Sequence, residues 1–390
     1  MSMTDRPRLF LFNPDCEMAI ADGGLFYTPP AHVVQMAEDL AFLPAWLGDE
    51  GDRVLVGTLP DERFMETVRR VFQLKCLPLR ECELSDSLNL KGEPWGYSPK
   101  MGHWLVEHGL GEEWKAERKE WYSRKTARAG LGRLLETLPE TDPEVLPRVC
   151  SSIAEIEQGI RGGAYLVKAP WSSSGKGQLA LSGQVGGKER EWLTGVLRRQ
   201  GYLMLERRLD KVKDFAAEFY MGERGAEFVG WSFFVTGNHG EYRGNHVGTA
   251  GEPEEGLGGY VSASYADLLV REVTEMLNGL LPLYRGYLGV DMMIYRDGSG
   301  RYRVQPCVEI NLRYNMGIVA LFLSRRYIAP DGRGVFEVRY FPKPGQALEE
   351  HIRLQREQPA VYENNRLKSG YFPLIPVNEA THFVASVRCY

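Results

Sequence analysis

Two apolar stretches in the last third of the chain constrain the fold more than any other feature of the sequence. Residues 288–295 (LGVDMMIY) and 302–310 (YRVQPCVEI) both have the length and composition of a β-strand, and residues 297–300 (DGSG) lie between them. A short glycine-containing connection between two such stretches is typical of a β-hairpin. We therefore expect two neighbouring antiparallel strands.

Polar side chains on this predicted hairpin form a candidate metal site. Glu309 and Asn311 are two residues apart, so both side chains leave the same face of the sheet, and Arg313 extends that face. Asp291 lies in an apolar context where a bare carboxylate would be costly. Two carboxylates and an amide oxygen suit Mg2+, or Mn2+, better than zinc. The alternative is an ion pair between Glu309 and Arg313 or another arginine.

A second feature is the stretch 165–177 (YLVKAPWSSSGKG), in which a short apolar strand is followed by Lys168 and then by small residues. Glycine and serine let backbone N–H groups approach an anion, and we expect that anion to be a nucleotide phosphate. The alternative is an ordinary strand connection with a solvated Lys168. The Walker pattern is excluded, because Gly177 stands where that pattern requires Ser or Thr.

The first hundred residues alternate between strand-like and helix-like segments, which predicts a parallel, doubly wound α/β sheet. Strands are expected at 8–12, 53–56 and 74–79, and helices at 33–47 and 61–72. The first strand ends at a polar patch, Asp15, Cys16 and Glu17, which is either part of a site or a helix cap and loop. Residues 89–103 are predicted to be an ordered loop, and residues 105–138 to be largely helical.

The central region predicts a compact unit of two helices and three strands, whose small-residue loop is a flexible hairpin lid. Its helices are expected at 151–159 and 188–199, and its strands at 165–168, 178–182 and 202–206. Longer strands follow at 214–220 and 227–235, and helices at 265–281 and 318–327. The tail beyond Met316 matches no pattern that we can assign.

Composition limits the classes of protein to consider. The 390 residues suggest two or three domains, and 52 acidic against 47 basic side chains leave a net charge of −5. This balance gives no electrostatic case for binding nucleic acid or an anionic membrane. The six cysteines show no CxxC spacing and are expected to be reduced and mostly interior. Without a signal-like start or an apolar run of membrane-spanning length, a cytoplasmic protein is expected.

The motifs of residues 123–316, taken in their order along the chain, resemble those of the ATP-grasp superfamily. The matched features are Lys168 in YLVKAPW, the loop SSSGKG, Glu206 in LMLERRL, Asp291 in GVD, and Glu309, Asn311 and Arg313 in VEINLR. The resemblance implies an N-terminal doubly wound domain (1–122), a small lid subdomain with a helical lead-in (123–205) and a larger C-terminal antiparallel-sheet domain with a tail (206–390).

The resemblance also implies the cofactors and the residues that bind them. ATP phosphates would be bound by Lys168, by an early basic residue, Lys125 or its neighbour Arg124, and by the lid residues Ser173, Ser174, Gly175 and Lys176. Adenosine would be recognised by Glu206 and by the backbone of residues 203–205, including Leu205. Magnesium would be held by Asp291, Glu309 and Asn311.

The chemistry implied by the resemblance is activation of a carboxylate as an acyl-phosphate, followed by attack of an amine. Arg313 would bind the substrate carboxylate or the developing oxyanion. Arg243, with Asn245 and His246, lies in a segment that we expect to be a loop bordering the acceptor site. The alternative for the segment that contains Arg243 is an exposed glycine-rich connection. The expected partners are a small carboxylate and an amine, amino acids or a peptide among them, and a homodimer is a further expectation. A phosphotransferase and a non-catalytic nucleotide-binding regulator are the alternative functions.

Overall fold

Three β-sheets organise the part of the chain that the computed structural model describes, which is residues 6–85, 88–138, 141–160, 162–172, 177–236 and 242–390. The sheets contain four, four and nine strands. The predicted lid residues 173–176 lie outside the described residues.

The N-terminal sheet is wholly parallel, with the strand order β3-β2-β1-β4, which confirms the predicted parallel α/β domain. Its strands are β1 (Arg8–Leu11), β2 (Arg53–Leu55), β3 (Leu77–Leu79) and β4 (Lys91–Pro94). The helices around it are α1 (Cys16–Asp22), α2 (Ala31–Asp39), α3 (Glu62–Phe72) and α4 (Pro99–Glu107).

The prediction of a loop over residues 89–103 is wrong, because this segment contains β4 and the first turns of α4. Gly92 and Pro94 are poor strand formers, so local propensity argues against a strand here. Parallel pairing with β1 nevertheless extends from Arg8 opposite Lys91 to Leu11 opposite Pro94. Tertiary pairing therefore outweighs local propensity at this edge of the sheet.

The central unit is a second four-stranded sheet with the order β5-β8-β6-β7. Its strands are β5 (Arg148–Cys150), β6 (Ala164–Lys168), β7 (Gln178–Ser182) and β8 (Leu203–Arg207), and helix α5 (Arg124–Thr137) precedes them. Helices α6 (Ile153–Gly159) and α7 (Gly187–Gln200) complete a unit with its own apolar core. The predicted hairpin is present, with Lys168 opposite Gln178, whereas β5 was not predicted.

The largest sheet has nine strands in the order β13-β12-β9-β10-β11-β14-β17-β16-β15. The strands are β9 (Asp210–Gly222), β10 (Gly225–Thr236), β11 (Tyr242–Gly248), β12 (Gly286–Arg296), β13 (Tyr302–Asn311), β14 (Arg333–Tyr340), β15 (Val361–Glu363), β16 (Arg366–Pro373) and β17 (Phe383–Cys389). Its helices are α8 (Pro253–Gly256), α9 (Ala263–Leu280), α10 (Met316–Arg326) and α11 (Gln346–Glu357). The predicted hairpin is confirmed as the antiparallel pair β12 and β13.

The segment that contains Arg243, Asn245 and His246 is strand β11, so its prediction as a loop is wrong. β11 pairs with β10 on one side and β14 on the other. Gly244 and Gly248 mask its strand character in the sequence. The tail that matched no pattern supplies β14 to β17 and α11 and extends the same sheet.

One apolar core joins the N-terminal domain to this tail, since residues from β1 to Cys76 and from Tyr314 to Cys389 belong to the same buried cluster. Trp46 Nε1 donates to the Leu374 carbonyl at 2.7 Å. Helix α5 packs against β13 and belongs to the core of the large sheet rather than to that of the small unit. The small unit is thus the part with a separate core, and the domain limits at residues 122 and 205 stay predictions.

The cysteines are free, and five of the six are buried, with Cys82 exposed, as the sequence predicted. In the described ranges, no helix combines the length and apolar character needed to cross a bilayer.

Candidate nucleotide and metal site

The hairpin of β12 and β13 brings the predicted metal ligands together. Asp291 lies directly opposite Glu309, and Gly289 lies opposite Asn311. Residues that are directly opposite each other project from the same face of a sheet, and Glu309 and Asn311 share that face through their spacing. Asp291, Glu309 and Asn311 therefore project from one face near the end of β13.

The strand pairing is interrupted just beyond these residues. Asp291 pairs with Glu309 but Met293 pairs with Gln305, so β13 contains extra residues around Pro306. Proline has no N–H group to donate to the ladder and is typical of such bulges. The bulge separates the polar end of the hairpin from the regular part that carries Val304 and Ile294.

Negative charge accumulates at this end of the sheet. Burial, followed by the nearby carboxylates of Glu309 and Glu218, raises the pKa of Asp291 well above its usual value. A divalent cation would offset the part of this shift that the neighbouring carboxylates cause. No group of three His, Cys, Asp or Glu side chains placed for a metal occurs among the described residues. The set therefore needs the amide oxygen of Asn311 as its third donor, and an all-oxygen set fits magnesium.

Arg124, at the start of α5, lies between the metal set and the small unit. Its Nη2 is 2.9 Å from Glu309 Oε1, and its Nε donates to the Ala169 carbonyl at 3.0 Å. Burial alone would lower its pKa, but the carboxylates of Glu309, Glu206 and Glu17 raise it. Its Nη1 is buried with no hydrogen-bond partner among the described residues. A phosphate oxygen is the kind of acceptor that would satisfy this orphaned donor.

A narrow cavity lies beside Arg124, with a volume of about 10 Å3, which is room for about one water molecule. Its lining comes from α1, from the start of α5 and the two residues before it, from the loop after β6, and from β13. These residues are Glu17, Ile20, Tyr122, Ser123, Arg124, Ala127, Trp171, Ser172, Glu309 and Ile310. A triphosphate could enter here only if the small unit moved away from β13.

Lys168 and Glu206 form the second cation–carboxylate pair of the site. Lys168 Nζ is 2.5 Å from Glu206 Oε2, and the lysine is only 4% exposed. Leu166 is opposite Glu206 and Lys168 is opposite Met204, so the two side chains are diagonal neighbours on one face of the small sheet. Both residues expected to contact the nucleotide are therefore side by side.

Arg313 follows β13 and points towards the N-terminal domain. Its Nε donates to Glu17 Oε1 at 3.0 Å and its Nη2 donates to Asn311 Oδ1 at 3.2 Å. Burial would lower the pKa of this guanidinium, but Glu17 and its other neighbours raise it. The N-terminal domain thus supplies the counter-charge to the predicted substrate-binding arginine.

Backbone pairing limits how β8 could recognise adenine. β8 lies between β5 and β6, and its pairing with β5 covers Leu203 to Leu205, with Leu205 opposite Arg148. A backbone group that serves a ladder is not free for a ligand. The part of β8 that is not paired with β5 begins at Glu206. An adenine contact by the backbone of Leu205 therefore stays a prediction.

Two further predicted residues lie away from this centre. Lys125 has its Nζ 3.8 Å from the centre of the Tyr202 ring, and the contact with Glu309 belongs to its neighbour Arg124. Arg243 is exposed on β11. The pairings of Phe234 with Asn245 and of Ser232 with Ala216 place β11 on the far side of β9 and β10 from β13. β11 is therefore four strand spacings of roughly 4.8 Å, about 19 Å, from β13, and Arg243 also lies further along β11 than the row that contains Glu309.

Sequence reasoning missed the pairing of Arg313 with Glu17 and did not consider Glu218. Glu17 was noticed only as part of a polar patch after β1, because nothing local indicates its contact with a residue almost three hundred positions later. Glu218 did carry a signal. It is a charged residue inside an apolar strand, as is Asp291, and it is 1% exposed.

Comparisons with family models and with curated proteins find no match to this sequence. Solved structures are similar over nearly the whole chain. The biotin carboxylase β,γ-ATP complex from Campylobacter jejuni matches with a TM-score of 0.53 and 10% identity, over 98% of this chain and 87% of that one. The biotin carboxylase domain of the Hydrogenobacter thermophilus 2-oxoglutarate carboxylase, in a complex with MgADP, ADP and bicarbonate, matches with a TM-score of 0.51 and 12% identity, over 98% and 86%.

An N5-carboxyaminoimidazole ribonucleotide synthetase in its ADP complex matches with a TM-score of 0.51 and 12% identity, over 99% of this chain and 92% of that one. Identities of this size define a shared fold and leave the chemistry to be argued from the site.

Proposed function

We propose that this chain, which has the ATP-grasp fold of the biotin carboxylases and the ribonucleotide synthetase described above, is an ATP-dependent ligase that forms ADP. It activates a carboxylate and joins it to an amine. One observation carries the proposal. Asp291, Glu309 and Asn311 lie on one face of a hairpin, within reach of an arginine from a preceding helix that also contacts the small unit.

ATP would lie between the small unit and the large sheet. Lys168 and Arg124 are the buried cations that would meet its phosphates, and the unsatisfied Arg124 Nη1 supports this role. Glu206 would contact the adenosine at the open edge of β8. Ser173, Ser174, Gly175 and Lys176 would cover the phosphates, and this part of the proposal concerns residues outside the described ranges.

Magnesium would be held by Asp291, Glu309 and Asn311 and would offset charge on the transferred phosphoryl group. The residues around it would act on the substrates. Arg313 would orient the substrate carboxylate and stabilise the oxyanion, a type of donor worth on the order of 3 kcal/mol. Arg243, on the same sheet, would contact the acceptor at a distance from the phosphates.

In the first step a carboxylate oxygen bonds to the γ-phosphorus, the bridging P–O bond breaks, and ADP leaves. In the second step the amine nitrogen bonds to the acyl carbon, phosphate leaves with its electron pair, and the nitrogen loses a proton. Water would hydrolyse the acyl-phosphate between the two steps, so the site would have to close around the bound substrates before the first step. The substrates proposed are a small carboxylate and an amine, such as amino acids or a peptide. A cytoplasmic location and a homodimer are further predictions.

Hydroxylamine trapping tests the proposal. Wild-type protein with Mg2+, ATP and pools of small carboxylates should release ADP and, with hydroxylamine present, should form a hydroxamate from the acyl-phosphate. Glu309→Ala should abolish both. Glu227→Ala, which removes an exposed glutamate from the same sheet, is the matched control and should retain both.

The alternatives give different results. A phosphotransferase would release ADP with hydroxyl substrates and give no hydroxamate with any carboxylate. A nucleotide-binding regulator would bind ATP without releasing ADP on any pool. Equal, slow ADP release by the wild type and by Glu309→Ala would contradict the ligase.

A further inference from the structure

Glu218 is a buried carboxylate next to the proposed site that has no role in the mechanism above. It lies in the middle of β9, is 1% exposed, and accepts hydrogen bonds from Ser232 Oγ and Asn315 Nδ2, both at 2.7 Å. A carboxylate at this depth is costly unless it is fully hydrogen-bonded. Both of its oxygens are therefore used to hold other parts of the protein.

The surrounding chain leaves space for this carboxylate. A Cβ atom added at Gly289 would lie 2.5 Å from Glu218 Oε2, and one added at Gly317 would collide with Oε1. Only glycine fits at these two positions. Gly289 is opposite both Glu218 and Asn311, so the carboxylate lies in the same row of the sheet as a proposed metal ligand.

Asn315 connects Glu218 to the turn that carries Arg313. Its Oδ1 accepts from Ile318 N at 3.0 Å and caps α10, while its Nδ2 donates to Glu218. The turn is held on the other side by Tyr314 N, which donates to the Trp95 carbonyl at 2.8 Å. Arg313 immediately precedes these two attachments along the chain.

We infer that Glu218 is a positioning residue, which through Asn315 fixes the turn of residues 312–315 and thereby the direction of the Arg313 guanidinium. The inference rests on the role proposed for Arg313. Arg313 Nη1 donates to the Tyr314 carbonyl at 3.2 Å and its Nη2 to Asn311, so a shift of the turn would move both contacts. Glu218 would act on the substrate only through Asn315 and Arg313.

A general effect on stability can be separated from a specific effect on the turn, because two different residues donate hydrogen bonds to Glu218. Ser232→Ala removes the donor that lies on β10, outside the turn of residues 312–315. Asn315→Ser removes the donor on the turn and keeps an oxygen to cap α10, since serine is a good N-cap residue. Each variant deletes one hydrogen bond to the same carboxylate, so similar decreases in Tm are expected.

Hydrogen exchange and kinetics then distinguish the two variants. Asn315→Ser should speed amide exchange in residues 312–316 about tenfold and raise the KM of the carboxylate substrate about tenfold, the size of one lost charge-assisted hydrogen bond. Its KM for ATP should stay unchanged. Ser232→Ala should leave exchange in the turn and both KM values within about twofold of the wild type.

Glu218→Ala should reproduce the effect of Asn315→Ser, and Glu218→Gln, which keeps an acceptor for Asn315, should not. Equal effects of Ser232→Ala and Asn315→Ser on exchange and KM would overturn the inference, as would an unchanged turn in Asn315→Ser. Amide exchange needs no substrate. If the wild type released no ADP on any pool, the proposed function would fail while the exchange data still decided the role of Glu218.

Discussion

Arg313 Nε donates to Glu17 Oε1 at 3.0 Å, so the residue proposed to bind the substrate carboxylate is already paired with a carboxylate from the first turn of α1. The two side chains are 18% and 16% exposed. An incoming carboxylate would therefore compete with Glu17 for one guanidinium. The N-terminal domain takes part in the site through this competition.

Glu17→Gln should strengthen the binding of anionic substrates. The amide can still accept from Arg313 but no longer neutralises it, so the KM for the carboxylate should fall about threefold, while unfolding becomes easier by about 2 kcal/mol because a largely buried ion pair loses one charge. Steady-state kinetics and urea denaturation measure the two effects. Asp15→Asn makes the same chemical change at a residue that pairs with Lys100 instead, and should leave this KM unchanged. A raised KM in Glu17→Gln would show that Glu17 does not compete for Arg313.

Arg124→Met should separate metal binding from nucleotide binding. Arg124 forms an ion pair with Glu309, so its removal should free this carboxylate and tighten binding of Mn2+ alone by about tenfold. ATP binding should weaken by about tenfold, because the charge-assisted contact between Arg124 and the phosphates is lost. Paramagnetic resonance titration with Mn2+ and calorimetry with ATP provide the measurements. Arg128→Met, one turn further along α5, removes an arginine that donates to the Pro147 carbonyl and should change neither affinity. Mn2+ affinity equal to that of the wild type would show that Arg124 does not compete with the metal for Glu309.

Lys168→Met should weaken ATP binding at least tenfold, since a buried cation beside the phosphates is lost. It also leaves Glu206 without its partner, which should reduce the free energy of unfolding by on the order of 2 kcal/mol. The double variant Lys168→Met/Glu206→Gln should regain most of this stability but not the ATP affinity. If the double variant also regained nucleotide binding, Lys168 would be a structural partner of Glu206 only.

Glu218 should make the stability of the protein depend on pH. Burial raises its pKa from 4.5 to about 7, although Asn315, Ser232 and Arg313 act in the opposite direction. Because the folded state binds this proton more tightly than the unfolded state, the stabilisation is complete below about pH 4.5 and is lost as the pH rises through 7. The loss should be on the order of 3 kcal/mol.

Glu218→Gln is the measure of this effect, because glutamine imitates the protonated acid at every pH. In metal-free buffer, the free energy of unfolding of the wild type should fall relative to that of the variant as the pH rises from 4.5 to 7.5. Arg313 and Asp291 interact electrostatically with Glu218, and both groups are present in wild type and variant. A pH-independent difference would show that Glu218 keeps an ordinary pKa.

Local sequence patterns predicted those strands and turns whose own residues favour the conformation that they adopt. The hairpin of β12 and β13 follows from strand-like segments and a glycine turn. The same prediction placed Asp291, Glu309 and Asn311 on one face of the sheet. By contrast, β4 and β11 contain glycine or proline and are strands only because neighbours pair with them. The tail strands likewise depend on a sheet that begins more than a hundred residues earlier.

The same distinction applies to the candidate site. Lys168 and Glu206 could be named from motifs, but the choice of Arg124 over Lys125 depends on the way α5 packs on β13. The partner of Arg313 depends on the packing of two domains, for which the sequence contains no local signal. Glu218 was the avoidable omission, since an acid flanked on both sides by apolar residues in the segment FAAEFY is itself evidence of a buried polar network.

The core that the N-terminal domain shares with the tail has a consequence for synthesis of the protein. Trp46 Nε1 donates to the Leu374 carbonyl, and Asp39 Oδ2 accepts from His382 N and Phe383 N at 2.9 and 2.8 Å. These partners leave the ribosome more than three hundred residues after the groups that they contact. The first domain therefore cannot complete its interior until residues 374–383 have been synthesised, although it is made first, and its apolar face should need chaperone protection until then.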